Sequence, residues 1–359
     1  MTNDISKNVI VGGGLSGLYQ ALVLERKGHR DITILEAAKC IGGRVATSKY
    51  YRTYYEKGAS KILPKHTLML KLIHDLKLEN NLVKIENKNA FKGNLNGIRE
   101  YVETSSKTLL NNMSLFELLN NVDKNSVAEV KRLGYQHILK GSALFGIEYL
   151  DDLSSSHFFL MNGGLEMIIE RLKEQLKYTK IKLNTTVSKI STRDKMCNDT
   201  YHYNKIFIAI PPIHFNKIYF DDDKLKTKIN KTIMTIPLIR AYAKTQSSDK
   251  LYSYKVVRDP VQRQGSISHK LHQVIYASDK NALYWKNKTN AFIVDNINIK
   301  NVNPNSIEKF YWESGIHLQK PGTPILIREL NNGTMFLIGE AFYPYKRWME
   351  SCLLSVINY

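Results

Sequence analysis

Residues 8–17 read Asn8-Val9-Ile10-Val11-Gly12-Gly13-Gly14-Leu15-Ser16-Gly17, and Glu36 closes the next apolar run, roughly 20 residues further on. Val9, Ile10 and Val11 make a short buried strand. Gly12 permits a sharp turn, Gly14 lets the backbone approach a pyrophosphate, and Gly17 lets the following helix close onto the sheet. That helix carries Leu15, Leu18, Leu22 and Val23 on one face and stops at Gly28, a natural residue just beyond a helix end. Its N-terminus aims backbone N–H groups and a partial positive charge at phosphate. Asp31–Leu35 reads as the second strand, and Glu36 at its end can accept hydrogen bonds from ribose hydroxyls. An acid there favours a free 2′-OH over a 2′-phosphate. Strand, glycines, helix, strand and acid at these distances describe a dinucleotide site rather than a chance glycine-rich turn.

The next residues, Glu36-Ala37-Ala38-Lys39-Cys40-Ile41-Gly42-Gly43-Arg44, decide which dinucleotide. Two glycines admit a phosphate closely, and an arginine binds it with a planar fork. This stretch resembles the one that follows the second strand in the flavin amine oxidase superfamily, whose cofactor is FAD. The resemblance continues in family order. Tyr55-Glu56-Lys57-Gly58-Ala59-Ser60 is similar to the segment under the flavin. Asn162-Gly163-Gly164-Leu165 is similar to the family's Gly-Gly-Met element, and Thr186-Val187-Ser188 to the strand whose valine touches the adenine. Ile206–Pro212 resembles the returning strand of the nucleotide domain, and Gly339-Glu340 with Trp348-Met349-Glu350 the element that closes over the flavin. The resemblance implies FAD contacts from Gly12, Gly14, Leu15, Ser16, Gly17, Glu36, Ala37, Gly43, Arg44, Gly58, Ala59, Ser60, Val187, Gly339, Glu340, Trp348 and Met349.

The expected fold class is therefore α/β: a Rossmann-type FAD-binding domain and a smaller α+β substrate domain, interleaved in sequence. The first is expected from 1–85, 160–232 and 325–359, the second from 86–159 and 233–324. Apolar spacing predicts helices over Ser114–Leu119 and Ser126–Leu139, and another after Gly164 carrying Leu165, Ile168, Ile169, Leu172 and Leu176. Lys255–Val257 and Gln273–Tyr276 fit strands, and 278–309, rich in Asn and Lys, fits loops around short elements.

A chain of 359 residues with 43% hydrophobic content can bury two domains' worth of core. Met1–Lys7 is polar, no apolar run approaches a membrane span, and Cys40, Cys197 and Cys352 are too scattered for a disulfide framework. These features suit the cytoplasm or another reducing compartment, without secretion. The net charge of +19 would suit a nucleic-acid or acidic-membrane partner. The lysines are nevertheless spread along the chain with much Asn and Ile, the bias an AT-rich microbial or large-DNA-virus genome encodes. Nucleic acid is not the favoured partner. Nothing in the sequence indicates a metal site or an oligomeric state.

A second GxGxxG is absent, which argues against electron supply from a nicotinamide, and so is any Cys-x-x-Cys. The expected chemistry is an oxidase's: hydride passes from the substrate carbon next to nitrogen to non-covalent FAD, and dioxygen reoxidises the flavin to give peroxide. The resemblance makes Trp348 one wall of an aromatic cage over the flavin. It puts Ser314 where monoamine oxidases carry the cysteine tethered to FAD, and Gly315 where the second cage aromatic sits. Tyr311, Trp312 or His317 would then line the pocket, with His317 as a candidate base, and Phe342, Tyr343 and Tyr345 would fill space before Trp348. The family's flavin-facing lysine falls on Arg240 or, one register along the same strand, on Lys244. Arginine stays charged and binds anions, so Arg240 could hold a substrate carboxylate. Alternatives are a porphyrinogen-oxidase-type enzyme acting on a non-amine, or an inactive FAD-binding structural or nucleic-acid-associated protein.

Overall fold

The computed structural model describes residues 7–221, 224–244, 255–268, 270–297, 299, 302–325, 328–343 and 348–356. Asn8–Val11 is the central strand of a six-stranded sheet, flanked by Ile32–Leu35 and then Thr179–Lys182 on one side. Lys205–Ile208, Met335–Leu337 and Glu329–Leu330 extend the other side, and only that last edge strand is antiparallel. In-register pairs such as Val9–Ile206 and Val9–Thr33 keep the parallel strand ends level. Alternation sorts the side chains: Ile10 and Phe207 face one core, whereas Val9, Val11, Ile206 and Ile208 face the other.

The helix Leu15–Arg26 follows the first strand, and Gly28 after it takes φ +96°. It is buried on more than the expected face, for Gln20, Ala21 and Leu24 are buried as well. The helices Glu166–Gln175 and Trp348–Leu354 pack over its outer side, which no local pattern could announce.

A second, antiparallel sheet runs in the order Lys255–Val256, Arg263–Ser268, Leu271–Ser278, Ile233–Lys244, Glu308–Gln319. Ile236 and Leu318 from this sheet share a core with Leu118, Val130 and Leu150 of the helices Leu115–Val122, Lys124–Arg132 and Gly146–Leu153. The strand Ile233–Lys244 is paired on both sides, and its pairing with Glu308–Gln319 slips between Ile236 and Leu238. Pro237 sits at that slip, where its missing N–H cannot feed the ladder.

One expectation needs correction, and another gains detail. The helix foreseen over 126–139 ends at Arg132, because Gly134 turns at φ +70°, and a 3-10 segment Gln136–Lys140 follows. The stretch 278–309 holds two helices, Lys280–Lys286 and Asn290–Asn296, packed through Trp285 and Ile293. Tyr345 lies outside the described residues. No described helix is long and apolar enough to cross a membrane, and no described cluster of His, Cys, Asp or Glu could hold a metal. All three cysteines are free thiols.

Candidate active site

Gly14 caps the helix Leu15–Arg26 with no side-chain hydrogen bond, and the first turn contains no acidic residue. The first-turn N–H groups are thus left for an anion. An ideal Cβ on Gly14 would meet nothing nearer than the Gly42 carbonyl oxygen, at 3.8 Å, so the backbone here leaves an open approach. On Gly17 it would lie 2.0 Å from the Gly12 carbonyl oxygen, which is why helix and strand can touch only through glycine. Glu36 accepts the Gly13 N–H at 2.6 Å on one oxygen and the Ala38 N–H at 2.8 Å on the other. A carboxylate offers about four lone-pair sites, so capacity for ribose hydroxyls remains. Val187 is buried in the core beside Leu35, just ahead of the strand Lys189–Ser191. These features fit a dinucleotide.

Arg44 also lines a cavity of about 550 Å³, mostly apolar in lining. One part of its wall is Arg44, Gly58, Ala59, Ser60, Glu340 and Met349, residues expected around a flavin. Arg44 donates to the Gly315 carbonyl at 3.1 Å and to Glu340 at 3.3 Å. Glu340 also accepts from His317 Nδ1 at 2.6 Å, and His317 Nε2 lies 2.7 Å from the Ser314 hydroxyl. A carboxylate only accepts, so Nδ1 carries the proton between them, and Nε2 pairs with the Ser314 hydroxyl. His317 is fully buried and absent from the cavity wall, and the half-buried Tyr311 is absent from it too. The structure thus places His317 away from the cavity wall, with both ring nitrogens engaged in the framework that holds Arg44.

Trp348 does line the cavity, as does Trp312, whose indole N–H donates to the Lys57 carbonyl at 2.7 Å. Trp348 opens its helix at φ +46°, a strained conformation for a bulky residue, with His66 edge-on at 6.2 Å. Cys352 also reaches the wall, and burial pushes its thiol pKa up, so it stays protonated.

The structure separates the two candidates on the strand Ile233–Lys244. Arg240 is 6% exposed and lines the cavity. It donates to the Ser60 hydroxyl at 2.9 Å, the Tyr242 hydroxyl at 3.2 Å and the Glu56 carbonyl at 3.3 Å, while its Nε is buried without a partner. Lys244 lies outside the cavity, its ammonium 4.4 Å over the Tyr50 ring. Four residues of strand carry it about 13 Å along, too far to face the same ligand.

Sequence reasoning missed a cluster around Arg240. Arg263 stacks 3.4 Å over the Tyr135 ring and 4.5 Å from the Tyr276 ring, and Arg240 lies 4.9 Å from the same Tyr276. Lys61 lines the same space, and burial, then Arg263 and Arg240, pull its pKa down to about 7. Burial holds His137 near 3, hence neutral, and lifts Glu56 to about 7. Lys61 directly follows Gly58-Ala59-Ser60 and could have been noticed there. Arg263 has no local signal, since a different strand delivers it.

Residues 15–139 match the family described as flavin containing amine oxidoreductase. Over that stretch, about a third of the chain, the sequence is similar to this family of flavoproteins. An L-amino-acid oxidase of Crotalus adamanteus is 29% identical over 191 residues, 49% of this chain and 35% of that enzyme. The match thus spans about a third of that relative's length. A putrescine oxidase solved with putrescine superposes with a TM-score of 0.76 at 15% identity, covering 98% of this chain and 97% of that one. A candidate protoporphyrinogen oxidase from an Exiguobacterium species gives 0.70 at 16% identity, covering 98% and 97%. At such identities the structural likeness speaks for the fold alone.

Proposed function

We propose that this chain binds FAD non-covalently and oxidises a small amine that carries a carboxylate, an amino-acid-like substrate, with dioxygen as final acceptor. The observation that carries this reading is Arg240: a buried guanidinium on the cavity wall whose Nε has no partner. A fork already anchored on Ser60 and Tyr242 loses little freedom on gripping a carboxylate. The same charge disfavours polyamines. At an effective dielectric constant of 20, a substrate ammonium 4 Å from a guanidinium is repelled by about 4 kcal/mol.

Bound flavin would supply the two-electron acceptor that converts the amine to an imine. The chain's residues bind, orient and exclude water. Gly12, Gly14, Leu15, Ser16 and Gly17 would hold the pyrophosphate, and Glu36 the ribose. Gly43, Arg44, Gly58, Ala59, Ser60, Gly339, Glu340 and Met349 would hold the rest, with Ala37 and Val187 toward the adenine. Trp348 and Trp312 would wall the reacting carbon in an apolar slot, where a fixed pose lowers the barrier more than any single contact. On this reading the stretches 86–159 and 233–324 form the substrate-binding part and the remainder the nucleotide-binding part.

A non-amine substrate with a carboxylate, of porphyrinogen type, is the second reading, since Arg240 would grip its acid group equally well. The test is the visible spectrum of the FAD-loaded protein under anaerobic conditions. Bleaching by L-amino acids but not by putrescine or benzylamine supports the proposal. Bleaching by diamines alone sinks it, and a protein that takes up no FAD would undo the cofactor assignment.

A further inference from the structure

We propose that the substrate carries a second anionic group, seated between Arg263 and Lys61 at the inner end of the cavity, so that the preferred amine is dianionic, as an acidic amino acid is. This rests on the carboxylate-bearing amine reading above and narrows it.

Three cations from three separate parts of the chain converge there. Lys61 follows the strand Thr53–Glu56, Arg240 comes from Ile233–Lys244, and Arg263 opens Arg263–Ser268. Arg240 and Arg263 both lie against the Tyr276 ring, so one small molecule can reach both. Arg263 is 2% exposed and held from behind, donating to the Leu133 and Gly134 carbonyls at 3.2 and 2.9 Å. Its position is therefore fixed before any ligand arrives.

The charge balance of the wall points the same way. Its basic residues are Arg44, Arg52, Lys61, Arg240 and Arg263, against the acids Glu56 and Glu340. Glu340 is engaged by Arg44 and His317, and Glu56 accepts from the Leu165 N–H at 2.7 Å and the Thr47 hydroxyl at 2.9 Å. A second and independent sign is Gln273. Its side-chain amide nitrogen is buried without a partner, and the residue lines the same cavity. Burying a donor unpaired is costly unless a ligand meets it. The depressed Lys61 pKa agrees: burial first, and then the charges of Arg263 and Arg240, disfavour its cation, and an anion beside it would offset both.

The test uses non-oxidisable probes on the FAD-loaded protein. Glutarate, a dicarboxylate, and butyrate, a monocarboxylate of similar reach, are titrated by calorimetry and by perturbation of the flavin spectrum. Glutarate is expected to bind about ten- to hundredfold more tightly than butyrate, the scale of one charge-assisted hydrogen-bonded contact. Arg263→Met and, separately, Lys61→Met should shrink that ratio while leaving butyrate binding in place. Arg263 is buried, so Lys61→Met guards against a folding failure of the first variant. Equal binding of the two probes by the unaltered protein, or no binding of either, overturns the inference. These outcomes are independent of turnover. If no amine bleaches the flavin but glutarate retains its preference, the oxidase reading fails and the second anion subsite stands. If L-amino acids bleach the flavin while glutarate shows no preference, the reverse holds.

Discussion

Gly14→Ala separates binding of the cofactor from stability of the fold, because the substitution acts on the two with opposite sign. In the protein without FAD the new methyl would meet the Gly42 carbonyl oxygen at 3.8 Å, ordinary contact, and nothing closer. Gly14 has φ −77° and ψ −177°, extended backbone that alanine adopts without strain. The substitution then mainly removes freedom from the unfolded chain, worth about 0.4–1 kcal/mol in favour of the fold. With FAD present, the same methyl stands where the pyrophosphate must approach the helix N-terminus. Overpacking of that kind costs about 1–3 kcal/mol, which is about five- to 150-fold in dissociation constant. Thermal unfolding of the FAD-free variant should therefore show an unchanged or slightly raised midpoint, while flavin-fluorescence titration shows weakened FAD binding. Gly17→Ala is the control. Its methyl would fall 2.0 Å from the Gly12 carbonyl oxygen, forcing helix and strand apart even without ligand, at about 3 kcal/mol. Parental FAD affinity in Gly14→Ala would refute the assignment of the pyrophosphate to this turn.

Four other outcomes follow from the site. Arg240→Met should raise KM for amino acids about ten- to hundredfold, the loss of a charged hydrogen-bond partner, while lowering KM for amines without a carboxylate, in steady-state assays. Glu340→Gln leaves Arg44 without its 3.3 Å carboxylate partner and should lower stability by about 3 kcal/mol, measured by chemical unfolding, with loss of bound FAD on gel filtration. Lys61 has a folded pKa lowered to about 7, so it is cationic below pH 7 and neutral above it. Dicarboxylate affinity should therefore be greatest below pH 7 and fall as pH rises through it, approaching tenfold per unit in calorimetric titrations. In the ligand-free protein the same lysine should add stability as pH is raised from about 7 toward 10.5, where the unfolded chain still binds the proton and the folded one does not. A flat affinity profile between pH 6 and 9 would remove Lys61 from the anion site.

The nucleotide half was legible in the chain because its chemistry is local. A pyrophosphate is held by one turn and one helix N-terminus, and Gly12, Gly14, Gly17 and Glu36 are near neighbours whose spacing is a direct record of that geometry. The substrate end resisted reading because its parts come from distant segments. Whether Arg240 or Lys244 lined the cavity depended on how far one strand runs past it, and His317 turned inward because Glu340, 23 residues on, claimed its Nδ1. Local periodicity can state that a side chain is on one face of a strand, but not what that face meets. The cluster of Lys61, Arg240 and Arg263 exists only because two strands meet at Tyr276 and the segment after Thr53–Glu56 brings Lys61 to the same cavity. The amino-acid sequence by itself determined the dinucleotide turn and the α/β class, since both rest on short-range spacing. Tertiary structure alone decided the charge of the substrate cavity, because electrostatic energy depends on distance through space and on burial, neither of which is written along the chain.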